Sequence, residues 1–443
     1  MKRYLERLSI LVLMVATVWT TCAPALAQQS DEPVVVEFWH VWDGVRHDLI
    51  KEVVRRFEAA HPGIRVEERL IGVAADIREK LTVALAGGVA PDVIMILPGM
   101  AMEYGSKQTL LPLEPLAEAD GVRIDELIFP VIAESLKWQG NTYSLPVMVD
   151  VPAQLYYNRE LFDQAGIDSN RGPADHDAFR DAATKLTRRD GADLTAIGIN
   201  LVGHWLSYHW DNFNAFLGQN GIPLLDDEAR VVLPDIAGAH QVLTWMLDFE
   251  EQVLGDSAAG MQFVNNNGGM LPAFLNDRLA MIIAPNWIYA QIKADRSDFP
   301  LGVDVIPGPV GAEYSGTLAP TWGYAITRDS RNPQAAWSLV RWLAAEVEGG
   351  GWFMKQQGRI SSIPEMITDP EYFDVAPELW PVVLRQVQLA THASSVVPVP
   401  VNVNRIGQAV ANAARKQEAP LAALENARRE LQAVVDEWWS EQQ

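Results

Sequence analysis

The sequence predicts an α/β protein folded as two lobes. Three observations carry that expectation. The segments between residues 34 and 97 alternate in the order βαβαβ. The chain has 443 residues, more than the ~250–300 that one hydrophobic core usually serves. A Val- and Leu-rich stretch, Leu145 to Tyr157, is interrupted by Pro146, Asp150 and Pro152, as a segment crossing between two bodies would be.

Met1 to Ala27 carries Lys2, Arg3 and Arg7, then an apolar run ending at Trp19, then Ala25-Leu26-Ala27 at the expected cleavage position, and reads as a secretory signal. Cys22 invites a lipoprotein reading, but Trp19-Thr20-Thr21 before it lacks the small residue and leucine that lipid attachment uses. Cleavage would remove the single cysteine and take the net charge from −22 to −24. Disulfides and thiolate metal sites are then excluded, and a nucleic-acid partner is not expected at that sign. No later apolar run approaches the ~20 residues that span a bilayer. The expected product is a soluble periplasmic monomer.

Val34 to Trp39 is a strand candidate, and Arg46 to Ala60 places Leu49, Ile50, Val53, Val54, Phe57 and Ala60 on one helical face before Pro62-Gly63. Ile64 to Leu70 returns as a strand, Asp76-Ile-Arg-Glu79 opens a helix in capping-box fashion, and Gly87-Gly88 closes it before the strand Pro91 to Leu97. Right-handed crossovers make this a parallel sheet that binds ligands at the carboxyl ends of its strands. The loops after Trp39 and Leu97 therefore line the expected cleft.

After the crossing, Asn158 to Gly166 has an asparagine cap, acidic opening turns and a glycine stop. A helix from Asp175 to Leu186, a strand from Thr195 to Leu201, an aromatic segment from His204 to Phe216 and a helix from Ile236 to Val253 compose a second α/β lobe. Asn265 to Gly269 is expected as a surface loop. Leu301 to Pro307 and Trp322 to Thr327 look like strands passing back between lobes, and Pro333 to Leu343 like a helix. The run Leu421, Leu424, Ala427, Leu431, Val434, Val435, Trp438 has helical period and reads as packing.

Motifs for catalysis fail in the residues that matter. Gly255 to Gly260 has phosphate-loop spacing but continues as Met261-Gln262, without Lys or Ser/Thr. There is no G-x-S-x-G and no H-E-x-x-H; His204 and His209 stand off a common helix face, so no zinc site is expected. Adjacent Tyr156 and Tyr157 point to opposite faces of a strand and do not share an iron ion. No cofactor and no catalytic residue is assigned. A carboxylate pair at glycosidase separation, and with it a secreted carbohydrate-active enzyme, stays open as another class.

The chain carries fifteen tryptophans. Trp245, Trp337, Trp342 and Trp438 sit at helical spacing and read as core. Trp287, in Ala-Pro-Asn-Trp after a strand, and Trp322, in Pro-Thr-Trp-Gly, read equally as core or as rings that stack on a ligand. Trp42 and Trp205 also follow strand-like segments. Asp43 reads as a ligand contact or as the N-cap of the next helix, His40 as a hydroxyl donor or a satisfied structural group, and Arg405 as a surface charge or a fork aimed into the cleft. Asp150 is an acid inside an apolar crossing, out of place unless something binds it.

Five blocks together resemble the extracellular solute-binding proteins, family 1, of ABC importers: Phe57 to Val66, Lys80 to Val93 (KLTVALAGGVAPDV), Leu155 to Gly166 (LYYNRELFDQAG), Asn276 to Trp287 (NDRLAMIIAPNW) and Trp322 to Trp337 (WGYAITRDSRNPQAAW). The resemblance implies a periplasmic binding protein type II-like clamp, each lobe a mainly parallel sheet flanked by helices, joined by hinge crossings. It implies residues 28–149 with 305–350 as one lobe and 150–304 with 351–443 as the other. It implies capture of a sugar, delivery to an ABC permease, and no chemistry on the ligand. By position, Asp150 looks like the hinge carboxylate that accepts sugar hydroxyls, and Trp42, Asp43, Trp205, Trp287, Trp322 and Arg405 lie where relatives place ligand contacts. The loop Ile96 to Gly99 departs from the maltose-type pattern, which argues against maltodextrin. A polyol phosphate such as glycerol 3-phosphate is the alternative ligand.

Overall fold

The computed structural model describes residues 32–73, 76–202, 210–226, 228–311, 316–393 and 404–441. The expected signal segment with Cys22, and Trp205, His204 and His209, lie outside them.

The first sheet grows from the expected alternation. β1 (Val34–His40), α1 (Val45–Ala60), β2 (Ile64–Leu70), α2 (Ile77–Gly87) and β3 (Val93–Ile96) follow in order, with β2 and β3 both parallel to β1. α1 buries Ile50, Val53, Val54 and Phe57, the inner part of its predicted stripe, whereas Ala60 is exposed. Gly88, at φ 64°, ends α2 with its amide on the carbonyls of Ala84 and Leu85, a geometry that glycine adopts without a Cβ penalty. The expected capping box at Asp76 does not form. Its carboxylate accepts from the Val73 amide and pairs with Lys80 instead of capping the helix.

The broken stretch after residue 144 resolves into three short strands in three different sheets. β4 (Leu145–Pro146) edges the first sheet, β5 (Val149–Asp150) belongs to a small central sheet, and β6 (Gln154–Asn158) enters the second large sheet. Pro146 and Pro152 lack the amide a continuous ladder needs, so the chain changes partner at each break. α3 (Arg159–Gln164) then starts on Asn158, whose Oδ1 accepts the Leu161 amide at 3.1 Å while its Nδ2 donates to Asp277 Oδ1 at 2.8 Å. Asn158→Ala is expected to cost about 1–2 kcal/mol of stability in urea denaturation, because the cap and a part-buried tie to Asp277 are lost together.

Beyond it lie α4 (His176–Leu186), α5 (Trp210–Gln219) and α6 (Ile236–Leu254). The strand expected from Thr195 to Leu201 is a short hairpin strand, Asp193–Ala196, followed by a single bridge at Ile197. Helix Ser257–Asn266 runs into the segment expected as a loop and stops at Gly268 and Gly269. β7 (Met281–Ala284), α7 (Ile288–Asp295) and β8 (Leu301–Val305) complete the second sheet, ordered β7-β6-β8.

That sheet is antiparallel throughout, where mainly parallel pairing was expected. The partners of β6 return from more than a hundred residues away, so no local βαβ crossover dictates their direction. Tyr156 and Tyr157 point opposite ways along β6, their hydroxyls donating to the carbonyls of Pro285 and Ser169, each at 3.2 Å.

The chain comes back through β9 (Gly316–Pro320) and β10 (Gly323–Ile326). β10 inserts antiparallel between β3 and β4, giving the first sheet the order β2-β1-β3-β10-β4. α8 (Pro333–Ala345) covers it with Ala336, Leu339, Val340 and Leu343. α9 (Trp380–Gln388) packs on β8 and β9, and β11 (Ala390–Ala393) pairs with β9. α10 (Asn404–Ala414) and α11 (Pro420–Glu441) pack on each other and on α5 and α6. α11 buries Leu424, Ala427, Leu431, Val435 and Trp438 of the predicted stripe, leaving Leu421 exposed. Trp337 and Trp438 are core as expected, and Trp245 and Trp342 pack against it from partly buried positions.

Candidate functional site

Three segments run side by side where the two large sheets meet. β5 pairs antiparallel with β9, Asp150 opposite Ala319 and Val149 opposite Pro320. The stretch after residue 358 lies along the other edge: the Val149 amide donates to the Ile360 carbonyl at 3.2 Å, Met148 bridges Ser361, and the Ser362 hydroxyl donates to the Pro146 carbonyl at 2.6 Å. Gly358, at φ 61°, turns the chain out of the helix Trp352–Gln356 to reach that edge. The turn delivers Arg359 to Asp150.

Asp150 and Arg359 form the electrostatic centre of this junction. Arg359 Nη1 stands 3.9 Å from Asp150 Oδ1, a charge contact longer than a hydrogen bond, with side chains 20% and 13% exposed. Asp150 Oδ1 is buried and accepts no hydrogen bond. Burial raises the Asp150 carboxyl above its ordinary value, against the Arg359 charge and a hydrogen bond from Asn286. Burial likewise lowers the Arg359 guanidinium, with Asp150 opposing and the Arg46 charge adding to the shift. A largely desolvated acceptor beside a largely desolvated fork of donors suits a polar ligand that presents donor and acceptor together.

Trp287 borders the pair with its ring and Trp322 borders the junction through its backbone. Asn286, at the end of β7, clips the crossing: its Oδ1 accepts the Val151 amide at 3.1 Å and its own amide donates to the Val151 carbonyl at 3.3 Å. Trp287 follows at the start of α7, partly buried, with the Arg359 guanidinium carbon 6.0 Å from its ring centre. Trp322 is also partly buried, and its carbonyl accepts the Val147 amide at 2.9 Å.

The loop after β1 contributes differently. Trp42 is only 2% exposed; its indole donates to the Tyr324 hydroxyl at 3.1 Å and its ring packs edge-on against Phe353. It offers little open face. Asp43 is exposed and pairs with Arg46 rather than capping α1, where Gly44 holds the cap position. His40 is fully buried, one ring nitrogen 2.7 Å from Glu68 and the other accepting the Trp42 amide at 3.1 Å, so both nitrogens are engaged inside the protein. Arg405 starts α10 and pairs at 3.4 Å with Glu430 of α11, both more than half exposed, along an open groove with Gln408 and Asn412.

The structure thus gathers Asp150, Trp287 and Trp322 at one junction. Trp42 and Asp43 both contact Arg46 instead, and Arg405 is engaged between the C-terminal helices. Arg359 was not read from the sequence. Its one signal is a basic residue directly after a helix-ending Gly358 and before Ile360.

The model of the bacterial extracellular solute-binding protein family matches residues 44–349. The chain is 25% identical over 324 residues to a putative binding protein of Brucella abortus (strain 2308), covering 72% of this chain and 74% of that protein. It is 24% identical over 295 residues to the sn-glycerol-3-phosphate-binding periplasmic protein of Escherichia coli (strain UTI89 / UPEC), covering 64% and 63%. Among solved structures it is similar to the cyclic alpha-maltosyl-1,6-maltose binding protein from Arthrobacter globiformis, with TM-score 0.74, 19% identity and 91% and 99% coverage. It is also similar to an ABC substrate-binding protein of Listeria monocytogenes in complex with cycloalternan, with TM-score 0.71, 19% identity and 91% and 100% coverage.

Proposed function

The chain belongs to the bacterial extracellular solute-binding protein family, and on that premise we propose that it is the substrate-binding component of an ABC importer, capturing a carbohydrate and delivering it to a membrane permease. The observation that carries the reading is the buried Asp150 Oδ1, which accepts no hydrogen bond, facing Arg359 beside Trp287. A sugar hydroxyl donates to Asp150, a neighbouring ring or hydroxyl oxygen accepts from Arg359, and the C–H faces of the sugar lie against indole rings.

Residues 28–149 with 305–350 act as one lobe and 150–304 with 351–443 as the other. The crossings at β5, β9 and residues 358–362 serve as the hinge. Solute that touches both lobes only when they are closed favours the closed form by the free energy of those extra interactions. Micromolar affinity corresponds to about −8 kcal/mol, within reach of two aromatic platforms and a few charge-assisted hydrogen bonds. The protein acts without turnover, outside the cytoplasm, after loss of Met1 to Ala27. Among the described residues no helix is long and apolar enough to cross a membrane.

One observation favours a second ligand class. Arg359 is a largely buried guanidinium at the junction, and such a fork suits a polyol phosphate, the ligand class named for the Escherichia coli relative. Asp150 opposes an anion at the same place, which ranks the neutral sugar first. A thermal-shift screen over mono- and oligosaccharides, polyols and sugar phosphates separates them, because a ligand that binds only the native clamp raises its melting temperature. A saccharide is expected to give the largest rise. A rise confined to phosphates supports the second reading, and reducing-end product during incubation with oligosaccharides would show an enzyme instead.

A further inference from the structure

Away from the Asp150 junction, three side chains of metal-binding type converge at the carboxyl end of the first sheet. Parallel register sets Glu68 of β2 opposite Phe38 of β1. Residues two apart on a strand share a face, so His40 emerges on the same side as Glu68, and α1 packs on β2 to bring His47 over both. Ligand atoms of the three lie within 4.8 Å of one another. His47 and Glu68 side chains are 24% and 18% exposed, leaving the cluster open to solvent on one side, and His40 closes the other.

The hydrogen bonds decide which atoms are available. The Trp42 amide donates to His40 Nδ1 at 3.1 Å, so that nitrogen carries no proton. In the neutral ring the proton is on Nε2, which donates to Glu68 Oε2 at 2.7 Å. His40 therefore orients the carboxylate rather than ligating an ion, the part that a supporting residue plays behind metal ligands. His47 Nε2 stands 3.3 and 3.4 Å from the two Glu68 oxygens, long for a hydrogen bond to a carboxylate. The spacing matches the edge of a coordination tetrahedron, roughly 3.3 Å when metal–ligand bonds are about 2.0–2.1 Å.

We propose that His47 Nε2 and the Glu68 carboxylate form a site for a zinc-class divalent cation, with His40 as a positioning residue and water completing the shell. Imidazole with carboxylate selects zinc-class ions over calcium or magnesium. Two protein ligands make the site weak and exchangeable. Lys51, one turn beyond His47, adds a like charge that weakens it further. The cation ligands His47 and Glu68 are not among the sugar contacts proposed above, and the site does not depend on them.

The test is calorimetric titration of tag-free protein with zinc chloride, together with visible absorption after cobalt chloride addition as a signature of nitrogen coordination. One zinc per chain is expected, with His47→Ala and Glu68→Gln each weakening it by at least about tenfold. Unchanged melting temperatures without metal keep misfolding out of the comparison, and His47→Gln serves if alanine lowers them. Absence of zinc binding in the unmodified protein, or binding undiminished in both variants, overturns the assignment.

Discussion

Asp150→Ala is expected to weaken saccharide binding by about ten- to a hundredfold while the protein stays folded. The lost interaction is a charge-assisted hydrogen bond from solute to a buried carboxylate, which contributes about 1.5–3 kcal/mol. The variant also leaves Arg359 without its counter-charge. Its side chain keeps 20% exposure, so water softens that cost. Asp150→Asn keeps an acceptor and loses the charge, and should fall between the two. Trp287→Ala should lose about tenfold, through a missing ring face. Wild-type affinity in both Asp150→Ala and Trp287→Ala, measured by calorimetry with the saccharide found in the screen, would sink the site. The pH dependence has a definite sign: burial raises Asp150 above 3.8, so affinity should fall as pH is lowered through that raised value and the acceptor becomes protonated.

The second large effect concerns stability. Glu250 of α6 is fully buried; its Oε1 accepts from Asn200 Nδ2 at 2.6 Å and from the amides of Leu201 at 2.5 Å and Val202 at 3.1 Å, while Oε2 is buried with no hydrogen bond. Burial pushes its carboxyl up to about 7 from 4.5, against donors that favour the anion. Between those values the unfolded chain gives up the proton and the folded chain keeps it. The stability this group supplies is therefore full below pH 4.5 and is lost as pH rises to about 7. At about 1.4 kcal/mol per unit the loss is roughly 3 kcal/mol.

Glu250→Gln retains the oxygen that holds residues 200–202 and replaces Oε2 with a neutral amide. The variant should lack the Glu250 contribution to the pH dependence across this window. Urea denaturation at about pH 5 and about pH 7.5 should show the stability of the variant minus that of wild type rising toward the higher pH. A gap that is the same at both would refute the titration.

Several local signals in the sequence match the structure, although the capping box expected at Asp76 does not form. Asn158 caps α3 because a side-chain oxygen two or three residues ahead of a free amide has little choice. Pro146 and Pro152 split the crossing into β4, β5 and β6 because each removes a ladder donor. Asp150 stood out as an acid among Val149 and Val151, and both valines are buried while Asp150 keeps a partly exposed side chain. Pairings made across the fold were not legible. Arg359 follows no period, and only the antiparallel run beside residues 147–149 brings it to Asp150. His40 reads equally as ligand or core until the register of β1 and β2 places Glu68 against it. Arg405 reads as a cleft donor until α11 presents Glu430.

The sequence by itself determined a two-lobed α/β chain with a proline-broken crossing, an acid in that crossing and the family to which it belongs, because strand alternation, helical period, caps and proline act over a few neighbouring residues. Tertiary structure alone decided that the second sheet runs antiparallel, that Arg359 faces Asp150 and that His47 meets Glu68. Those partners lie on different elements, and their separation is set by register and packing, quantities that no single stretch of residues encodes.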